Sequence, residues 1–428
     1  MKKLWQTQTT KLHPLVEQYT VGIDHELDRN LLEFDVEASI AHAKALEKAG
    51  IITAQELETL INALKDVLEL FKKGEFKIEQ SDEDCHTAVE NYLVEKYGDL
   101  GKKIHTGRSR NDQVLVATRL YTRSKLKEIS AEVVELQKVF LKIAKEYEFV
   151  SLPGYTHTRR AMPSSVGHWA AAYLEEFINH HMILEAAFKL NNQNPLGAAA
   201  GFGVNLDIDR NLTTELLGFD RTQVNSLYCV NSRGPIESHI LSVLSQIMMT
   251  LGRLATEMIW MTTPEFDFFD LPFEFTTGSS IMPQKRNPDV FEVLRGNVSV
   301  FIGYQTQVRE ICKNLISGYN RDTQLTKEPL IKGLNLAMKS LEIAVLVMPE
   351  VKPKKERLAK SLAPELFATY KANKYVQEGM PFRDAYQKVK ENIDEISAPS
   401  QDELKKEIST LGSPWNLGLD GYEISKGL

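Results

Sequence analysis

Apolar residues recur at helical spacing along most of this chain, and the lengths of the recurring stretches differ sharply from one region to the next. From Asn111 to Leu152 there is neither glycine nor proline, and apolar positions return throughout VLVATRLY and ISAEVVELQKVFLKIAKEY. That pattern predicts a helix far longer than the globular average of about 11–12 residues. Two more long stretches run from Ser165 to about Asn192 and from Pro235 to about Thr263, and a fourth begins at Pro288. Helices of this length must cover an apolar stripe along their whole span, so the pattern predicts an all-α fold built on a central bundle. Shorter helices precede the bundle. Leu31 to Gly50 ends on a glycine, and Thr53 opens the next helix with a cap-like start. After the basic run VKPKKERL, the segment Glu365 to Asn392 reads as a helix, a Gly-Met-Pro turn and a second helix. The expected division is an N-terminal helical domain at 1–109, the bundle at 110–354 and a small C-terminal helical domain at 355–428.

Composition narrows the partners. The chain has 428 residues, 43% hydrophobic and 25% charged, with a formal net charge of -7. Nucleic acid and anionic membrane surfaces both favour a basic face, so neither is an expected partner. The N-terminal MKKLWQTQTTKLHP has lysines but no apolar core of a signal peptide, and a cytoplasmic location is expected. Cys85, Cys229 and Cys312 are too few and scattered for a disulfide framework or a zinc cluster. They read as buried free thiols. The run GAAAGFG from Gly197 to Gly203 lacks the strand and the spacing of a dinucleotide fingerprint. Close packing of the chain between helices accounts for it better, and no cofactor or metal is expected.

The candidate chemistry sits at helix ends and turns. Gly278 to Asp289, GSSIMPQKRNPD, combines backbone freedom, the hydroxyls of Ser279 and Ser280, the Lys285 cation, and a helix start of Asn287 as N-cap, Pro288 and Asp289. Hydroxyls, a lysine and a helix N-terminus together suit a carboxylate ligand. The reading HTGRSRNDQV places Arg108, Arg110 and Asn111 at the head of the longest helix, where arginine opposes the helix dipole. A ligand carboxylate would explain Arg110 with Asn111, whereas Arg108 fits a solvated basic turn. Asp84, in the acidic SDEDCH, is either a solvated cap or a partner for a cationic group. Thr156 and His157 lie between Pro153 and Pro163 in a connection between two long helices, and histidine titrates near neutrality. Tyr319, Gln324 and Lys327 offer a phenol, an amide and an ammonium around a polar turn.

The twelve-residue loop resembles the signature loop of the fumarase/aspartase superfamily. Four further segments, SDEDCHTAVENYL, KKIHTGRSRNDQV, PGYTH and GYNRDTQLTK, resemble the argininosuccinate lyase family in order and rough spacing. The resemblance implies a homotetramer whose core is formed by bundles from four chains, with active sites built from three chains and a small-molecule substrate. It implies that Ser279 and His157 form the proton-transfer pair, with Lys285 assisting and Glu292 orienting the histidine. Asn111, Thr156, Asn287, Tyr319, Gln324 and Lys327 match substrate-binding positions, with Arg110, Asp84 and Arg233 as neighbours. The implied reaction is reversible cleavage of argininosuccinate to arginine and fumarate, with the acid and base labels left open. Another superfamily lyase acting on a different amino- or amidino-succinate, or a non-catalytic scaffold, are the alternatives. The chain departs from the family in several places. Asp24, or Gly22, stands where a substrate-binding serine is usual, and Trp5 is not followed by Gly-Gly-Arg. Asn231 to Gly234 replaces Ser-Asp-Arg-Asp, and Thr158 and Arg159 replace Leu-Gln.

Overall fold

The four long stretches fold as helices over Arg110–Glu146, Val166–Asn191, Pro235–Met261 and Asp289–Cys312, and a fifth runs over Lys327–Val347. The computed structural model describes residues 13–428, so the Trp5 segment lies outside the described residues. Strands are confined to pairs, the longest six and seven residues, and the fold is all-α as the periodicity predicts. Among the described residues no helix is long and apolar enough to cross a membrane.

Local chemistry sets the helix ends. Leu32–Lys48 closes at Gly50, whose φ of 72° lies in the left-handed region, and the Ile51 N–H donates back to the Leu46 carbonyl at 3.0 Å. Ala54–Lys72 starts with a capping box: Glu56 N–H donates to Thr53 Oγ1, and Thr53 N–H donates to Glu56 Oε2 at 2.8 Å. Near the C-terminus, Ala368–Gln377 and Phe382–Glu391 flank Gly379, as the Gly-Met-Pro turn predicts.

The chain divides into two compact units. The first joins the described residues up to Glu128 with Leu184–Ser245 and Phe301–Leu336; the second joins Ile129–Ile183, Gln246–Val300 and Ala337–Leu428. In the first, Ala38, Ala41, Val116, Leu120, Leu196, Leu217 and Phe219 form one buried cluster. In the second, Phe140 stacks on Tyr173 and Phe177, with centroids 5.2 and 5.8 Å apart. A smaller cluster of Leu366, Phe367, Leu404 and Trp415 sits under the C-terminal helices.

Two expectations change in the structure. The connection at Pro153–Pro163 is a β-hairpin in which Ser151–Thr156 pairs antiparallel with Arg159–Ser165. Its loop is the two residues His157 and Thr158, at φ 51° and 58°. Positive φ at both positions matches the tight turn whose twist suits paired strands, although glycine or asparagine usually fills it. Cys85 and Cys229 are buried free thiols, but Cys312 is only partly covered.

The glycine-rich run packs closely, as expected, and wraps a carboxylate. A Cβ at Gly197 would lie 2.8 Å from Arg210 Cγ. Asp112, fully buried, accepts the N–H groups of Gly197 and Ala199 at 3.0 and 2.9 Å on one oxygen and that of Ser109 at 2.8 Å on the other. Asp112→Ala would strand buried amides, each worth about 1–3 kcal/mol. A loss of at least about 2 kcal/mol is expected in urea unfolding of the purified protein; a loss below about 0.5 kcal/mol would contradict this account.

Candidate active site

The first unit brings seven of the expected site residues around one cavity of about 160 Å³: Asp84, Arg110, Asn111, Arg233, Tyr319, Gln324 and Lys327. Each is placed by an ordinary feature of the backbone. Asp84 is the N-cap of the Cys85–Tyr97 helix, its Oδ1 accepting the Thr87 N–H at 2.9 Å. Its Oδ2 accepts from Arg110 Nε at 2.8 Å and also from Nη2, while Arg110 Nη1 reaches Glu83 Oε2 at 2.7 Å. Arg110 therefore stands against the helix dipole because two carboxylates hold it. Arg108 is not solvated either; it is buried, and its Nη1 donates to Ser39 Oγ at 2.9 Å.

Lys327 is a buried cation of this cavity. Its Nζ lies 2.5 Å from Asp28 Oδ1 and 3.0 Å from Asp24 Oδ2. Asp28 has no exposed surface, and its other oxygen accepts the Cys85 N–H at 3.0 Å. Gln324 Nε2 and Arg321 Nη2 both donate to the Thr20 carbonyl at 3.0 Å. Burial pushes the Asp84 carboxyl up, but the His86 charge, Arg110 and the Thr87 amide outweigh it and bring it down to about 2. Burial likewise disfavours charge on His86, yet Asp35, bonded at 2.6 Å, raises its pKa overall. Asp28, Cys85 and His86 bring donor atoms within 4.8 Å of one another. The Lys327 ammonium against Asp28 disfavours a metal cation there.

The second unit carries the signature loop. Thr277–Gly278 pairs with Arg286–Asn287 in a two-residue antiparallel ladder, so residues 279–285 form a closed loop. Ser279 Oγ accepts the N–H groups of Met282 at 3.1 Å and Ile281 at 3.3 Å. The Lys285 N–H donates to the Met282 carbonyl at 3.0 Å, which turns the chain back toward its start. Asn287 does not cap the following helix with its side chain as expected. Its Nδ2 donates at the limit of hydrogen bonding to Thr277 Oγ1 and the Gly278 carbonyl, 3.4 and 3.5 Å away, while Thr277 bonds Asp289. Lys285, Asn287 and Glu292 line a cavity of about 920 Å³ beneath the loop. Thr156 and His157 lie apart from it, exposed at the tip of the hairpin.

Three neighbours of the expected residues escaped sequence reading. Glu83 and His86 flank Asp84 in SDEDCH, and Arg321 follows Tyr319 by two positions; all three line the first cavity. Their proximity to singled-out residues was the available signal. The depressed Asp84 carboxyl makes a testable statement about stability. A carboxylate whose pKa falls from 3.8 unfolded to about 2 folded contributes above the unfolded value and loses that contribution as pH falls through the folded one. Asp84→Asn should therefore cost about 2 kcal/mol at pH 7, with the deficit shrinking between about pH 4 and pH 2. A pH-independent deficit would contradict the assigned ion pair.

Residues 7–303 match the model of a protein family described as lyase. Argininosuccinate lyase of Thermotoga neapolitana is 41% identical over 390 residues, covering 91% of this chain and 98% of that protein. The enzyme of the same name from Sorangium cellulosum is 42% identical over 403 residues, covering 94% of each. Among solved structures, an EDDS lyase in complex with formate superposes with a TM-score of 0.80 at 23% identity, covering 96% of this chain and 89% of that one. A class II fumarase from Schistosoma mansoni gives 0.73 at 16%, covering 90% and 94%. The two structures carry the likeness of fold, and the two sequences carry the family: this chain belongs to the argininosuccinate lyases of the fumarase/aspartase superfamily.

Proposed function

We propose that this chain catalyses the reversible β-elimination of argininosuccinate to L-arginine and fumarate, with Ser279 as the base and His157 as the acid. The observation that carries the assignment of the base is the pair of loop amides on Ser279 Oγ. A serine hydroxyl is too weak a base to remove a proton beside a carboxylate. Amide donors aimed at its oxygen, with Lys285 on the same loop, favour the alkoxide.

Removing that proton doubles the charge on the neighbouring carboxylate. Lys285 and Asn287, together on the wall of the second cavity, supply cationic and amide donors for it. A preorganised donor of this kind contributes ~2.7–4 kcal/mol of transition-state stabilisation. His157 delivers a proton to the departing guanidino nitrogen, and Glu292 orients it. The first cavity, with Asn111, Tyr319, Gln324 and Lys327, takes the arginine half. Thr156 beside His157 completes the substrate contacts. These groups supply acid, base and charge stabilisation without calling on a cofactor.

The residues named lie at three places in one chain: the first cavity, the hairpin tip and the signature loop. That distribution supports a homotetramer in which three chains furnish each site. Exposed Met249, Trp260, Val300 and Leu346 on the long helices of the second unit offer apolar surface for such association. The three-domain division and a cytoplasmic location belong to the same reading.

The test is fumarate release, followed by its ultraviolet absorbance with arginine confirmed separately. Wild-type protein should turn over argininosuccinate, and Ser279→Ala should lower kcat by about 10²–10⁴-fold. Undiminished turnover in Ser279→Ala would remove the serine from the role of base. Faster turnover of adenylosuccinate or aspartate would overturn the substrate.

A further inference from the structure

Tyr319 reaches the wall of the first cavity from a turn with little packing to hold it. Residues 315–320 lie outside any helix or strand, between the end of the Asp289–Cys312 helix and the 3₁₀ turn that opens at Arg321. A further cavity of about 200 Å³ borders the same turn, lined by Ile316, Ser317, Gly318 and Asn320 together with Asn231 and Arg233. Ile316 is 79% exposed, so close packing does not fix the turn. Hydrogen bonds from Asn231 do. The Gly318 N–H donates to Asn231 Oδ1 at 2.7 Å, and Asn231 Nδ2 donates to Ser317 Oγ at 3.3 Å. Among the described residues these are the hydrogen bonds that join the turn to a distant segment, whereas Asn320 Nδ2 bonds within it, to the Ile316 and Gly318 carbonyls. Asn231 is itself held rigidly. It ends the Ser226–Asn231 helix, and the buried Ser232 that follows accepts from the fully buried Arg119 at 2.8 Å and donates to the Cys229 carbonyl at 2.7 Å. The Gly234 N–H donates to the buried Glu237 Oε2 at 2.5 Å. Arg233, between these anchors, lines the first cavity, so Asn231 ties the segment carrying Arg233 to the segment carrying Tyr319.

We propose that Asn231 is a positioning residue: through the 315–320 turn it sets the Tyr319 hydroxyl against the arginine half of the substrate, and it touches no reacting atom itself. The proposal rests on the argininosuccinate reading and deepens it. Asn231 stands at the first of the four positions where the chain replaces Ser-Asp-Arg-Asp. A serine side chain is one bond shorter, so its hydroxyl falls short of both partners. Aspartate has the shape of asparagine and keeps both bonds, with the Ser317 hydroxyl as donor to it. The asparagine therefore fixes, by its length and its paired donor and acceptor, a turn that the chain does not fix by packing.

The experiment compares Asn231→Ala, Asn231→Ser and Asn231→Asp with wild type, each as the oligomer of the full chain, by two readouts. Amide hydrogen exchange of the peptide containing residues 315–320 reports the turn, and steady-state fumarate release reports the reaction. Exchange should speed up in Asn231→Ala and Asn231→Ser and keep the wild-type rate in Asn231→Asp. KM for argininosuccinate should rise about tenfold in the first two, the scale of one hydrogen bond, with kcat changed less than about threefold. In a Tyr319→Phe background, which already lacks the hydroxyl, Asn231→Ala should add little to KM. Unchanged exchange overturns the clamp. Faster exchange with unaltered KM, or an effect that adds in full to that of Tyr319→Phe, overturns the positioning role. If Asn231→Ala fails to fold, Asn231→Ser and Asn231→Asp decide by the same criteria. Wild-type turnover with unchanged exchange in the variants refutes Asn231 alone, whereas faster exchange without any wild-type turnover refutes the reaction and leaves the clamp standing.

Discussion

The buried contact between Lys327 and Asp28 is the constraint on which the first unit depends. An isolated ammonium or carboxylate cannot be buried without a partner, and removing one member of such a pair typically costs ~3–5 kcal/mol. Through that contact the start of the Lys327–Val347 helix is fixed to the N-terminal segment at Asp24 and Asp28. The second oxygen of Asp28 then fixes the head of the Cys85–Tyr97 helix through the Cys85 amide. Asp84, one residue earlier, holds Arg110 at the head of the longest helix. Four segments far apart in sequence thus meet at one cavity because each brings a charge that needs the next.

The second unit solves a different problem with backbone geometry. Its signature loop is closed by a two-residue ladder, and the serine oxygen is satisfied by amides from its own loop. At the hairpin tip, His157 and Thr158 occupy left-handed conformations that cost roughly 1–2 kcal/mol each for residues other than glycine. The Thr158 hydroxyl donates to the His157 carbonyl at 2.6 Å and recovers part of that cost. Strain held at this turn fits the proposal that it is kept for the His157 side chain it presents rather than for ease of folding.

Much of this was legible in the sequence where one rule governs locally. The Asn111–Leu152 pattern found its long helix, Thr53 its capping box and Gly50 its helix stop, because periodicity and capping act within a few residues. The hairpin was not legible, since His157-Thr158 lacks the glycine or asparagine that marks such a turn. The partners of Arg110 were hidden for a related reason: Glu83 and Asp84 lie 27 and 26 positions away, beyond any local pattern. Asn287 sits where a cap is expected, yet its amide faces Thr277 ten residues back. Gly278 adopts no backbone conformation that demands glycine, so its freedom concerns movement of the loop rather than its resting shape.

The proposed shared site has the loop serine of one chain working with the first cavity of another. Mixing Ser279→Ala with Asn111→Ala, a cavity change that leaves the Lys327–Asp28 contact intact, tests it most directly after reassembly of hybrid oligomers from the separated chains. If different chains furnish the two residues, some hybrid sites receive intact Ser279 and intact Asn111, and fumarate release rises above that of either variant alone. If both come from one chain, every site keeps one lesion, and hybrid oligomers no more active than their parents would contradict the account.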